Sequence, residues 1–107
     1  MKKAMVKTGG VPVPTKRITF VEVVELTGVH PSRIGELVEL GWLQPRKTSE
    51  QEYLFLHSDV YRIRKFERLS KDFGLSCMGG TIIVDLLDRI EFLEQKVKEM
   101  ERLLGSK

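Results

Sequence analysis

Apolar residues recur along most of this chain at helical spacing, interrupted by one stretch that reads as extended. Phe20, Val21, Val24 and Leu26 predict a short first helix. Thr19 with Glu22 three residues on forms a capping-box pattern at its start, and Gly28 ends it. Pro31, at a first-turn position, opens a second helix with Ile34, Leu37 and Val38 on one face and Gly41 as its stop. The link Thr27-Gly28-Val29-His30 makes the pair a helix-turn-helix. Trp42-Leu43-Gln44-Pro45 and Glu52-Tyr53-Leu54-Phe55-Leu56 then read as the arms of a β-hairpin, with Arg46 to Gln51 as its polar tip. Trp42 and Tyr53 bracket that hairpin as core residues, Trp42 over the second helix. A third helix is expected from about Ser58 to Asp72, where Val60, Ile63, Phe66 and Leu69 keep helical spacing until Phe73-Gly74 break it.

The closing segment is the most regular. Ile83, Ile90, Val97 and Leu104 repeat every seven residues, and Leu86, Leu93 and Met100 fall three after the first three of these. That is the a/d seam of a coiled coil, which exposes an apolar stripe unless a partner covers it. A homodimer is the expected solution; packing wholly within one chain is the other. Ile82 and Leu87 lie beside the seam and are expected to pack on the chain's own domain. In a parallel pair, Arg89 and Lys96 face Glu94 and Glu101 of the second copy, although exposed pairs of this kind contribute only about 0–1 kcal/mol each. The helix start, near Ser76 to Thr81, is softened by Gly79-Gly80.

The 107 residues therefore divide into a flexible basic tail (1–16), a winged helix-turn-helix domain (17–74) and a C-terminal dimerisation helix (75–107). The fold class is mainly α, with a small β-hairpin wing and a C-terminal coiled-coil helix. Charge changes the picture. The net +3 conceals +5 in residues 1–17 and −2 in the rest, so the body is slightly acidic and the overall charge is no argument for nucleic-acid binding. No apolar run approaches the ~18 residues of a bilayer span, and the basic start is followed by no apolar stretch, so no signal peptide or membrane partner is expected. The one cysteine, Cys77, suits a reducing compartment, and the expected location is cytoplasmic.

The runs Thr27-Gly28-Val29-His30-Pro31 and Glu39-Leu40-Gly41-Trp42-Leu43-Gln44-Pro45-Arg46 resemble the start of a MerR-type winged helix, where "TGV-x-P…E-x-G-L-L-x-P-x-R" leads into the wing. Asp59-Val60-Tyr61-Arg62-Ile63-Arg64-Lys65-Phe66 looks like that family's post-wing helix, and the closing coiled coil like its dimerisation helix. The resemblance covers about residues 17–104 and is closer to the chaperone-modulator, CbpM-like branch. It also shows departures. DNA-binding members usually carry "R-T-L-R-Y-Y" on the recognition helix; here the stretch is Ser32-Arg33-Ile34-Gly35-Glu36-Leu37. Where the wing usually has Gly-Tyr-Arg, this chain has Gln51-Glu52-Tyr53. Periodicity turns Ser32, Arg33, Glu36 and Glu39 outward, so two carboxylates would meet the phosphate charge of a duplex.

The resemblance implies a protein that binds the J-domain of a DnaJ-type co-chaperone and restrains its activation of Hsp70. A J-domain carries a basic helix, so Glu22, Glu25, Glu36 and Glu39, with Leu40, are the expected docking surface; a merely solvated face is the competing reading. The alternative function is a MerR-type transcription regulator using Arg33, Arg46 and Lys47, with the Lys-rich tail, on DNA. A purely structural dimerisation adaptor is a third reading. Arg62, Lys65 and Arg68 form a basic stripe, expected to be a solvated face paired with Glu67 and Asp72. His30 and His57 read as cap or turn residues, and Cys77 as a packing residue rather than a low-pKa thiol. One cysteine and no clustered ligands imply no metal site, and no cofactor is expected. With no phosphate loop and no nucleophile–base set, the chain is not expected to be an enzyme.

Overall fold

The computed structural model describes residues 16–105, and its architecture follows from locally encoded starts and stops. Seven elements run in the order β1 (Arg17–Thr19), α1 (Phe20–Thr27), α2 (Pro31–Glu39), β2 (Arg46–Lys47), β3 (Tyr53–Leu56), α3 (His57–Phe73) and α4 (Cys77–Gly105). The expected tail falls on residues 1–15, outside the described residues, apart from Lys16. Thr19 caps α1: its Oγ1 accepts from the Glu22 amide at 3.1 Å, and the Glu22 carboxylate accepts from the Thr19 amide at 2.8 Å. Gly28 and Gly74 close α1 and α3 in the left-handed conformation, φ 69° and 61°. Pro31 opens α2 behind His30, whose Nδ1 accepts from the Ser32 amide at 3.1 Å.

The strands depart from expectation. The three-stranded antiparallel sheet has the order β1-β3-β2, and β1 departs from the sequence reading: three residues are too few to show a period, and only their pairing with Leu54–Leu56 makes them a strand. The first wing arm lies further along than Trp42–Pro45. The Trp42 and Leu43 amides both donate to the Leu37 carbonyl, at 3.1 and 3.2 Å, so this stretch is a turn tied to the end of α2 and drives Leu43 into the core. Pairing begins only at Arg46, opposite Leu54. The tip is Thr48–Glu52, organised by Thr48, whose Oγ1 accepts from the amides of Glu50 and Glu52.

The core is built from Ile18, Val23, Val29, Ile34, Leu37, Leu43, Phe55, Val60, Ile63, Phe66 and Val84. On α1 the buried residue is Val23, whereas Val21 and Leu26 are exposed. Trp42 packs on α3 rather than over α2, with its ring 5.8 Å from that of Phe66. The first turns of α4 cross α3 at Gly80, where a β-carbon would stand 2.7 Å from the Phe66 ring and would also strike the Ser70 hydroxyl. Gly80, Thr81 and Val84 are the buried residues of α4. Beyond Val84 the helix projects with no buried residue to Gly105. Docking by this face also reverses an expectation about the seam. Ile82 is turned about 200° from Val84 and is exposed, while Ile83 is half-buried. Leu87 is half-buried, as expected of a residue beside the seam.

No helix among the described residues is long and apolar enough to cross a membrane.

Candidate functional site

The face of the helix-turn-helix that a winged helix presents to a partner is set by burial of Ile34 and Leu37. That burial leaves Ser32, Glu36, Glu39 and Leu40 exposed along α2 and its C-terminal cap. On α1, Glu22, Glu25, Val21 and Leu26 are exposed. The carboxylates of the two helices are not equally free. Glu22 is engaged in capping Thr19. Glu36 lies beside Cys77 at the start of α4, and the thiol is held above its ordinary pKa by burial first and by the Glu36 carboxylate second. Among the described residues Glu25 and Glu39 make no ion pair. Val21 and Leu26 stand with Phe20 and Val24 in the apolar pattern that predicts α1, yet they are exposed; the face turned inward is Phe20, Val23, Val24 and Thr27, spaced three and four apart.

Arg33, expected to point outward, does not. Its Nε donates to Glu67 Oε1 at 2.9 Å, and its guanidinium lies 5.2 Å from the centre of the Phe66 ring. Lys71 reaches the other Glu67 oxygen at 3.4 Å. The reason is that residue 33 adjoins Ile34 on the side of α2 facing α3, where a buried aromatic and a carboxylate offer it more than water does. The wing keeps Arg46 and Lys47 exposed, the latter over the Tyr53 ring at 5.7 Å.

The basic stripe of α3 finds its acids elsewhere than expected. Lys65 donates to Asp88 at 2.9 Å and sits 3.6 Å from Glu91; Arg62 lies 3.8 Å from Asp85. The α3–α4 crossing brings these carboxylates in from across the chain, so Glu67 and Asp72 are not the partners of Arg62 and Lys65. The Asp88 hydrogen bond, before any other cause, raises the Lys65 pKa.

On α4 the exposed apolar residues Ile82, Leu86, Ile90, Leu93, Val97, Met100 and Leu104 form a continuous stripe on the side opposite Val84. Among the described residues no group of three or more His, Cys, Asp or Glu converges as a metal site would require.

A family model described as MerR HTH family regulatory protein matches residues 18–102. The chain is similar to the chaperone modulatory protein CbpM of Escherichia coli, at 25% identity over 91 residues, covering 85% of this chain and 90% of that protein. The same figures hold for the CbpM of Shigella boydii. It is also similar to HspR of Streptomyces coelicolor, a heat shock protein by name, at 25% identity over 80 residues, or 75% of this chain. There the chain spans about half the relative's length, 53%.

Proposed function

The chain belongs to the MerR HTH family of regulatory proteins, and from that membership we propose that it is a chaperone modulator. In this reading it binds the J-domain of a DnaJ-type co-chaperone and restrains its activation of Hsp70. The observation that carries the reading is the charge of α2. Glu36 and Glu39 are exposed on the helix a DNA-binding relative would lay in the major groove, while Arg33 is turned away onto Glu67 and Phe66. A duplex would meet carboxylates there and pay in repulsion. A basic helix would meet complementary charge, with Leu40, Val21 and Leu26 available as apolar contacts. Similarity to two proteins named CbpM along nearly their whole length supports the same choice.

A second copy completes the protein in this proposal, covering the stripe from Ile82 to Leu104 and presenting two acidic faces per dimer. The alternative, DNA binding, is favoured by one feature, the exposed Arg46 and Lys47 of the wing.

Titration calorimetry of the full chain with isolated J-domains, and with duplex DNA, separates the two. Micromolar binding, about −8 kcal/mol, to a J-domain with no salt-sensitive DNA binding is the expected result. Glu36→Lys with Glu39→Lys weakens the J-domain complex by more than about tenfold while the fold, checked by circular dichroism, persists. Unchanged affinity removes these residues from the surface. DNA affinity that falls steeply with salt, with no J-domain binding, replaces the modulator reading with the regulator.

A further inference from the structure

Trp42, the sole tryptophan, joins three parts of the fold through one set of polar contacts. It belongs to the segment linking α2 to the wing. Its indole Nε1 donates to Asp85 Oδ1 of α4 at 2.9 Å. Arg62 of α3 stacks on the same ring, 4.0 Å from its centre, and donates to the Trp42 carbonyl at 3.1 Å. The cycle closes where Arg62 Nη2 approaches Asp85 Oδ1 at 3.8 Å. These are charge-assisted or stacked contacts between groups that keep partial access to water: the Asp85 side chain is 58% exposed.

Their position gives them a role that packing alone does not fill. At Gly80 the backbone of α4 comes close to the Phe66 and Ser70 side chains of α3, and Val84 is the last buried residue of α4. Beyond Val84, the half-buried Leu87 aside, α4 is held to the rest of the fold by polar contacts: Asp85 on Trp42 and Arg62, then Asp88 and Glu91 on Lys65. A hydrogen bond fails steeply with angle, so these contacts are sensitive to the direction of α4.

We propose that Trp42, Arg62 and Asp85 form a polar latch that couples the direction of α4 to the segment between α2 and the wing. With the latch closed, α4 is held at one angle to the winged helix. With it open, α4 turns about Gly80 and the α2–wing link is released. Whatever occupies the α2 surface is thereby coupled to the direction of α4, and the reverse holds by the same equilibrium. The device is independent of which macromolecule is bound.

The test uses the full chain and the emission of Trp42. Asp85→Ala, with its fold verified by circular dichroism, shifts the emission to the red and raises acrylamide quenching by roughly twofold, because the indole loses its carboxylate acceptor and the group that holds Arg62 over the ring. Small-angle X-ray scattering of the same variant shows a changed long dimension, which loss of stability alone does not produce in a folded chain. Asp85→Asn, which keeps an acceptor oxygen, lies between it and the parent and serves if the alanine variant does not fold. Raising salt from about 0.1 to about 1 M, which shortens the Debye length from ~10 to ~3 Å, moves Trp42 emission in the parent chain and not in Asp85→Ala. A folded Asp85→Ala with unaltered emission and quenching overturns the latch. So does a changed Trp42 environment with unaltered scattering, since α4 would then not be coupled to it.

Discussion

Cys77 shows how far the chemistry of one group depends on neighbours distant in sequence. Burial raises its pKa most, the Glu36 carboxylate raises it further, and the Arg33 guanidinium opposes both. The thiol is the neutral form at neutral pH, so it is a poor nucleophile despite standing at the first residue of a helix. Its alkylation by iodoacetamide at about pH 8 is therefore slower than in the urea-unfolded chain. Removing the Glu36 charge lowers the pKa and enlarges the thiolate fraction, so Glu36→Gln reacts faster than the parent; removing Arg33 acts in the opposite sense. Rates followed across pH check both signs, and a profile insensitive to Glu36→Gln would show that burial alone sets the thiol. The same pair of residues bears on the acidic face. Glu36 is divided between solvent and Cys77, and Glu39 is the freer carboxylate of α2, so the two single lysine variants should not contribute equally to loss of J-domain binding.

At the scale of elements, the α3–α4 crossing is held by absence of a side chain. Gly80→Ala places a methyl group against Phe66 and Ser70, and overpacking of this kind costs about 1–3 kcal/mol. Urea unfolding should show that loss in the midpoint, with Gly79→Ala, whose added carbon meets only Ser76 and Leu75 at 3.3 Å and beyond, close to neutral or stabilising. A glycine pair in a helix reads in the sequence as a weak start; the structure makes one member a packing requirement. This division recurs along the chain. Helix ends were legible because their signals are local: Thr19 with Glu22, Pro31, Gly28 and Gly74 act within a turn of where they stand. The sheet was half legible. Tyr53–Leu56 was found, but β1 and the position of β2 depend on cross-strand register and on amides committed to Leu37. Arg33, Trp42 and Arg62 were misplaced for a related reason. Each is drawn to a group brought in by tertiary packing, respectively Glu67 with Phe66, then Asp85, then Trp42, and no spacing rule carries that information.

The whole molecule poses one energetic problem, the stripe along the projecting part of α4. Its side chains are about half exposed or more in the single chain, from Leu93 at 45% to Leu104 at 78%. Covering each returns on the order of 1 kcal/mol, and two such stripes together on the order of 10 kcal/mol. Association costs roughly 4–15 kcal/mol in lost freedom, so the gain and the cost are of similar size. The proposed dimer should then be a concentration-dependent one, its affinity set by the middle of the stripe, where Ile90 and Leu93 are flanked by apolar neighbours on both sides. Leu93→Glu puts a charge into that centre and should yield a folded monomer in sedimentation velocity, with Trp42 emission unaltered because Leu93 lies two turns beyond Asp85, about 12 Å further along α4. Glu99→Lys, an exposed change off the stripe, should leave the dimer intact. A Leu93→Glu chain that sediments as the parent does would mean that the stripe is not where a second copy docks, and the paired acidic faces drawn from it would have to be given up. Loss of the dimer together with loss of J-domain binding would instead show that the co-chaperone is held by both copies, because no residue of the stripe belongs to the acidic surface itself.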